Sequence, residues 1–169
     1  FVTGTRVLDL FAGTGALGNE CLSRGASSVL SVEKSAHHAR FYRQNLAALG
    51  LPDTAVELWV MDAFGALRRL AESGRRFDLV IADPPYGEKN LGRRSDSLAQ
   101  RLLDAPELPG LLAEGGRFVL GHTKRDTLEL GPAWSERRQL RHGDTIIRVL
   151  QPAANRGAVT SPGGSEGHK

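Results

Sequence analysis

This chain is poor in sulfur, with one cysteine and one methionine among 169 residues. Cys21 alone cannot close an internal disulfide, so a packed core rather than cross-links must hold the fold together. It falls in a helical pattern and reads as a small core residue of a protein kept in a reducing, cytoplasmic setting. No apolar run approaches the roughly 20 residues that a membrane-spanning helix needs, and no secretory signal pattern is visible. His37 and His38 are adjacent on a helix and point in different directions, so no metal constellation is expected. Ser23, Ser35 and Ser95 lack the nucleophile-elbow pattern, which leaves hydrolase chemistry without support. Neither sign of charge dominates. A net charge of +3 is mildly basic, permitting a nucleic-acid partner without arguing for one.

What is present is ordinary for a globular domain, 40% hydrophobic and 24% charged, and the length suits one domain rather than two. Strand and helix signals alternate, the pattern of a mostly parallel sheet with helices on both faces, an α/β fold of Rossmann-like type. Strands are expected at 6–10, 28–32, 56–60, 77–82 and 117–121, with helices at 16–24, 36–49 and 63–72. Residues 97–112 read as helix in pieces, broken by Pro106 and Pro109. Two final strands, 134–140 and 145–150, flank Arg141-His142-Gly143-Asp144 and read as an antiparallel hairpin. Residues 1–150 are thus expected to form the domain. Residues 151–169, rich in Pro, Ala, Gly and Ser, read as a disordered tail. Phe1 stands where a methionine would begin a whole chain, so a segment ahead of the first strand is expected to be absent. Trp59 and Trp134 lie in strand patterns and read as packing residues.

Between the first strand and first helix lies Gly13-x-Gly15-x-x-Gly18, followed at a ribose-contacting distance by Glu33. This satisfies a dinucleotide fingerprint, so a nicotinamide oxidoreductase is a real competitor. Asp9 weighs against it, because an unpaired carboxylate at the strand end is unfavourable beside a pyrophosphate. S-adenosyl-L-methionine has no phosphate and carries an ammonium and a sulfonium, so Asp9 would attract it. The helix N-terminus after Gly15 offers N–H groups to its carboxylate. Glu33 can accept both ribose hydroxyls. Asp62 can accept an adenine amino group, with Ala63 offering a backbone N–H. The plainer reading of each acid is a solvated strand end or a helix N-cap.

The second motif is Asp83-Pro84-Pro85-Tyr86, just past the apolar run from Phe77 to Ala82. Two prolines fix φ and remove two N–H donors, leaving rigid carbonyls. A carboxylate with a carbonyl is what a planar NH2 group needs, one acceptor for each hydrogen. Tyr86 adds a face on which a base can stack. Lys89, Arg93 and Arg94 follow in a loop that suits phosphate contacts, or is a solvated surface. Lys124, Arg125, Arg137 and Arg138 read as ordinary surface charges.

Taken together, residues 9–20, 31–34, 61–63 and 77–86 resemble the class I methyltransferases acting on amino nitrogens, and among them the RsmD family. The resemblance extends to Glu114-Gly115-Gly116 and the stretch 141–145, covering roughly residues 6–150. It implies a seven-stranded sheet of order 3-2-1-4-5-7-6 with the last strand antiparallel. It also implies methyl transfer from S-adenosyl-L-methionine to the N2 amine of a guanine in small-subunit (16S) ribosomal RNA. The donor would be held by Asp9, Phe11, Ala12, Gly13, Thr14, Gly15, Glu33, Lys34, Asp62, Ala63 and Asp83, and the acceptor by Asp83, Pro84, Pro85 and Tyr86. Ribosomal RNA or a partly assembled small subunit would be the partner, with no metal and no membrane. Nothing requires more than a monomer. The same tetrapeptide also serves DNA adenine-N6 methyltransferases, which remain an alternative, as does a non-catalytic RNA-binding assembly factor.

Overall fold

The computed structural model describes residues 2–52, 54–85 and 93–154. Its elements alternate as the sequence predicts: β1 (Arg6–Asp9), α1 (Ala16–Ser23), β2 (Ser28–Val32), α2 (Ala36–Leu49), β3 (Val56–Trp59), α3 (Ala63–Ser73) and β4 (Phe77–Ala82). There follow α4 (Leu98–Asp104), a 3-10 turn (Pro109–Leu111), β5 (Leu112–Thr123), β6 (Trp134–His142) and β7 (Thr145–Pro152). The starts of α2, α3 and α4 coincide with capping side chains. Ser35 accepts from His38 N, Asp62 from Phe64 N and Gly65 N, and Ser97 from Gln100 N.

One sheet of seven strands runs β3-β2-β1-β4-β5-β7-β6, the order that the resemblance implied. The first five strands are parallel, and β7 runs against both its neighbours. The winding reverses between β1 and β4, which opens a crevice beyond their carboxyl ends. Asp9 closes β1 and Asp83 follows β4, so both motifs meet there.

Register assigns each strand residue to a face. Leu8, Leu30, Val80, Phe118, Leu120 and Leu150 face one way and are buried under α3, α4 and the 3-10 turn in the main core. Trp134 joins them, its indole N–H donating to Leu103 O at 3.0 Å. On the other face Val7, Val29 and Leu79 pack with Cys21 of α1, which is buried as expected. Farther along that same face, Val119, Ile147 and Val149 are only half-buried.

β5 begins at Leu112, five residues before the expected start. Its pairing with β4 jumps from Phe77↔Leu112 to Leu79↔Arg117, so Glu114-Gly115-Gly116 forms a bulge inside the strand instead of a turn before it. Gly115 sits at φ 73, and a β-carbon on Gly116 would lie 2.8 Å from Ala113 O. The hairpin forms as predicted, with His142 opposite Thr145 across Gly143-Asp144. β7 continues to Pro152, and Ala153 N donates to Ala133 O at 2.8 Å, so ordered structure passes residue 150. The remainder of the expected tail, 155–169, lies outside the described residues.

Candidate active site

The glycine loop is tied down on three sides. Leu10 N donates to Ile81 O at 3.0 Å, Ala12 N to Val32 O at 3.0 Å, and Gly15 N to Ala12 O at 2.9 Å. Gly15 is required twice over. Its φ is 93, and a β-carbon there would come within 2.6 Å of the Tyr42 ring. Tyr42 is wholly buried beneath the loop, its hydroxyl 2.6 Å from Ser31 Oγ. One helical turn on, Asn45 Nδ2 donates to Thr14 O at 3.2 Å. α2 therefore props the loop from below, through residues that the sequence reading did not single out. The only available signal was their spacing, which puts both on one side of α2.

Asp9 is 1% exposed, and neither carboxylate oxygen has a hydrogen-bond partner among the described residues. Burial pushes its pKa up to about 7. The Phe11 N–H opposes this without closing a geometric hydrogen bond, while the charges of Asp83 and Glu33 reinforce it. Strand register sets all three carboxyl groups around one crevice, Asp9 at the end of β1 and Glu33 and Asp83 just past the ends of its neighbours β2 and β4. A buried acceptor with nothing to accept costs stability, so the site is built for an occupant that supplies donors or positive charge.

Glu33 is already partly engaged, accepting from Gly13 N at 2.9 Å and Ser35 N at 2.6 Å. A carboxylate has about four lone-pair sites, so capacity remains for hydroxyl groups. Asp62 is exposed and caps α3, as its plainer reading anticipated, and Ala63 beside it is buried. Phe11 is half-buried, Ala12 buried, and Gly13 half-buried, while Thr14 and Lys34 are exposed. No side chain caps α1, so its leading N–H groups are available to an anion.

Asp83 is exposed at the crevice, and its Oδ1 occupies the place where a residue 121 β-carbon would need space, 2.9 Å away. Gly121 thus makes room for this carboxylate. Pro84 is buried and Pro85 exposed, above a small pit lined by Ser97, His122 and Asp126. Behind it Ser95 Oγ donates to Asp126 Oδ1 at 2.5 Å and lies 3.0 Å from Ser97 Oγ. His122 is held neutral, its pKa lowered mainly by burial, with Nδ1 donating to Thr123 O at 2.8 Å and Nε2 accepting from Arg148 at 3.1 Å. These groups stiffen the platform under the prolines, and sequence reading missed them because their partners are remote in the chain.

Tyr86 and Lys89 lie outside the described residues. Arg94 is not a loose cation: it grips Asp104 through two bonds of 2.8 and 2.9 Å and Glu129 through one of 3.1 Å. Arg93 is exposed. Among the described residues no group of His, Cys, Asp or Glu is placed to hold a metal ion, and no helix is long and apolar enough to cross a membrane.

A family model described as conserved hypothetical protein 95 matches residues 1–151. The chain belongs to that family. This conserved hypothetical protein 95 member is 37% identical over 124 residues to YlbH of Bacillus subtilis, named as a candidate rRNA methyltransferase; the match takes in 73% of this chain and 62% of that one. It is 38% identical over 85 residues to the ribosomal RNA large subunit methyltransferase I of Shewanella denitrificans, taking in 50% of this chain and 21% of the relative. The chain thus matches about a fifth of the length of such larger relatives. In structure it is similar to yhhF of Escherichia coli, named as a candidate methyltransferase, with TM-score 0.70 and 26% identity over 90% of this chain and 78% of that one. The sheet order and helix placement are those of class I methyltransferases.

Proposed function

We propose that this chain is the catalytic domain of an S-adenosyl-L-methionine-dependent methyltransferase acting on an exocyclic amine of a ribosomal RNA base, specifically guanine N2 in small-subunit RNA. The observation that carries this reading is the buried, unpartnered carboxylate of Asp9 at the mouth of a glycine loop. Three mutually repelling carboxyl groups around that loop suit a cationic ligand and oppose a pyrophosphate, which argues against the nicotinamide alternative. The rRNA methyltransferase names of the relatives agree with this choice.

When bound, the donor supplies an electrophilic methyl group on a sulfonium. Asp9 offers its carboxylate to the donor's positive charge, and the uncapped start of α1 offers N–H groups to its carboxylate. Glu33 keeps lone pairs for the ribose hydroxyls, while Asp62 and Ala63 stand beyond β3 where the adenine would lie. Phe11, Ala12, Gly13, Thr14 and Lys34 complete that wall. Asp83 and the Pro84 carbonyl accept the two hydrogens of the target amine and aim its lone pair, with Pro85 and Tyr86 completing the corner. The base must leave its stack to reach them. Orientation of this kind supplies much of the acceleration.

Incubation of the chain with labelled donor and unmodified small-subunit RNA, naked and protein-bound, followed by nucleoside analysis, tests the reading. Label in N2-methylguanosine is the expected result. Label only in large-subunit RNA would favour a second reading, which the name of the Shewanella relative supports. Label in DNA adenine, or none in any nucleic acid, would overturn the proposal.

A further inference from the structure

β6 is the least covered element of the sheet. From Ser135 to His142 every residue is exposed. Its one acidic residue, Glu136, is neutralised by Arg148, Nη1 to Oε1 at 3.5 Å. Arg137, Arg138 and Arg141 have no ion-pair or hydrogen-bond partner among the described residues. By contrast Arg6 is engaged with Asp78, Arg75 with Glu57, and Arg94 with Asp104.

Register connects this strand to the acceptor corner. Gly121, against which Asp83 packs, is opposite Ile147, and Ile147 is opposite Leu140. These residues share one face, two strand spacings or about 10 Å across. Arg138 and His142 flank Leu140 on that face, while Arg141, opposite Ile146, projects from the reverse face at the sheet end that carries Asp83, so the two arginines straddle the open edge. Edge strands carry charge to resist pairing with another chain, and charge of either sign serves that purpose. Uncompensated charge of one sign, continuous with the acceptor corner, calls for a polyanion.

We propose that β6 is the track for the RNA backbone beside the target base, with Arg138 and Arg141 contacting phosphates. This rests on the reading of the site as an RNA methyltransferase and extends it to a surface outside the donor and acceptor residues. Phosphate contacts position the substrate without reading its sequence.

The test uses Arg138→Gln and Arg141→Gln, singly and together, which remove charge but keep most of the side chain. Arg76→Ala, at the opposite end of the sheet, is the control. Binding to small-subunit RNA is measured across a salt series, alongside donor affinity and methyl transfer. The double variant is expected to bind RNA at least tenfold more weakly at low salt. Its log K against log salt should be shallower by about 1.4, some 0.7 for each lost contact with a single strand. Donor affinity and the control should not change. An unchanged RNA affinity and slope would overturn the proposal. So would aggregation without RNA loss, which would assign the arginines to edge protection, or loss confined to particles carrying ribosomal protein, which would assign them to protein docking. If the unaltered chain transfers no methyl to RNA, the reading of the acceptor corner fails, while the salt series still decides whether β6 binds RNA.

Discussion

One face of the sheet is finished differently at its two ends. Over β1 and β2, Cys21 and Leu22 of α1 pack on Val7 and Val29, and Tyr42 of α2 seals the underside of the glycine loop. Over β5, β7 and β6 the same face leaves Val119, Ile147 and Val149 half-buried and Leu140 41% exposed. The reverse face shows no such division, with Phe118, Leu120 and Leu150 fully buried alongside Leu8 and Leu30. The donor half is therefore held rigid by helix packing before any ligand arrives. The half that carries Asp83 keeps open surface, where the proposed RNA substrate would lie.

The contrast is sharpest in stability. Phe118→Ala should cost about 3–5 kcal/mol in chemical denaturation, whereas Val149→Ala on the opposite face should cost about 1 kcal/mol. Equal costs would mean that the open half is covered. The two halves should also separate in catalysis. Asp83→Ala is expected to lower kcat by about 10²–10³-fold and leave donor binding by calorimetry intact. Normal turnover would remove Asp83 from the acceptor corner.

The donor half carries a pH signature of its own. Asp9 titrates at about 7 in the folded chain against 3.8 for a free side chain. The folded state therefore holds the extra proton, and stability falls as pH rises from about 4 to about 7. A cationic donor needs the carboxylate, so donor affinity should rise about tenfold between pH 6 and 8. Asp9→Asn should abolish both slopes, and a pH-independent donor affinity in the unaltered chain would show that Asp9 does not meet the donor's charge. Tyr42→Phe removes the bond to Ser31 and should cost about 1 kcal/mol, weakening donor affinity several-fold without changing the KM for RNA. An RNA KM that rises instead would break the division of labour between the halves. At the bottom of the scale, Leu140→Ser should change stability by less than about 0.5 kcal/mol in the same denaturation experiment.

The succession of strands and helices was legible because elements announce their ends locally, as Ser35 does at α2 and Asp62 at α3. The resemblance then supplied the pairing, which local signals do not encode. The start of β5 was not legible, since Glu114-Gly115-Gly116 reads equally as a turn or a bulge until its partner strand is known. Asp9 and Asp83 stood out through position and charge. Tyr42, Asn45 and Gly121 did not, because each matters through an atom, or a missing atom, contributed by a distant part of the chain. Arg94 reads in sequence as a phosphate-contacting or solvated loop residue for the converse reason, its partners Asp104 and Glu129 being brought to it only by folding.

The glycine bulge at the start of β5 has a reach beyond its own neighbourhood. It decides which residue of β5 stands alongside Asp83, about 17 Å farther along the strand. Deleting one of its glycines would slide the strand beyond it by one position and bring His122 abreast of the carboxylate, turning the side chains of residues 117–123 to the other surface. The surroundings of Asp83 are thus set by a counting device at the far end of the sheet.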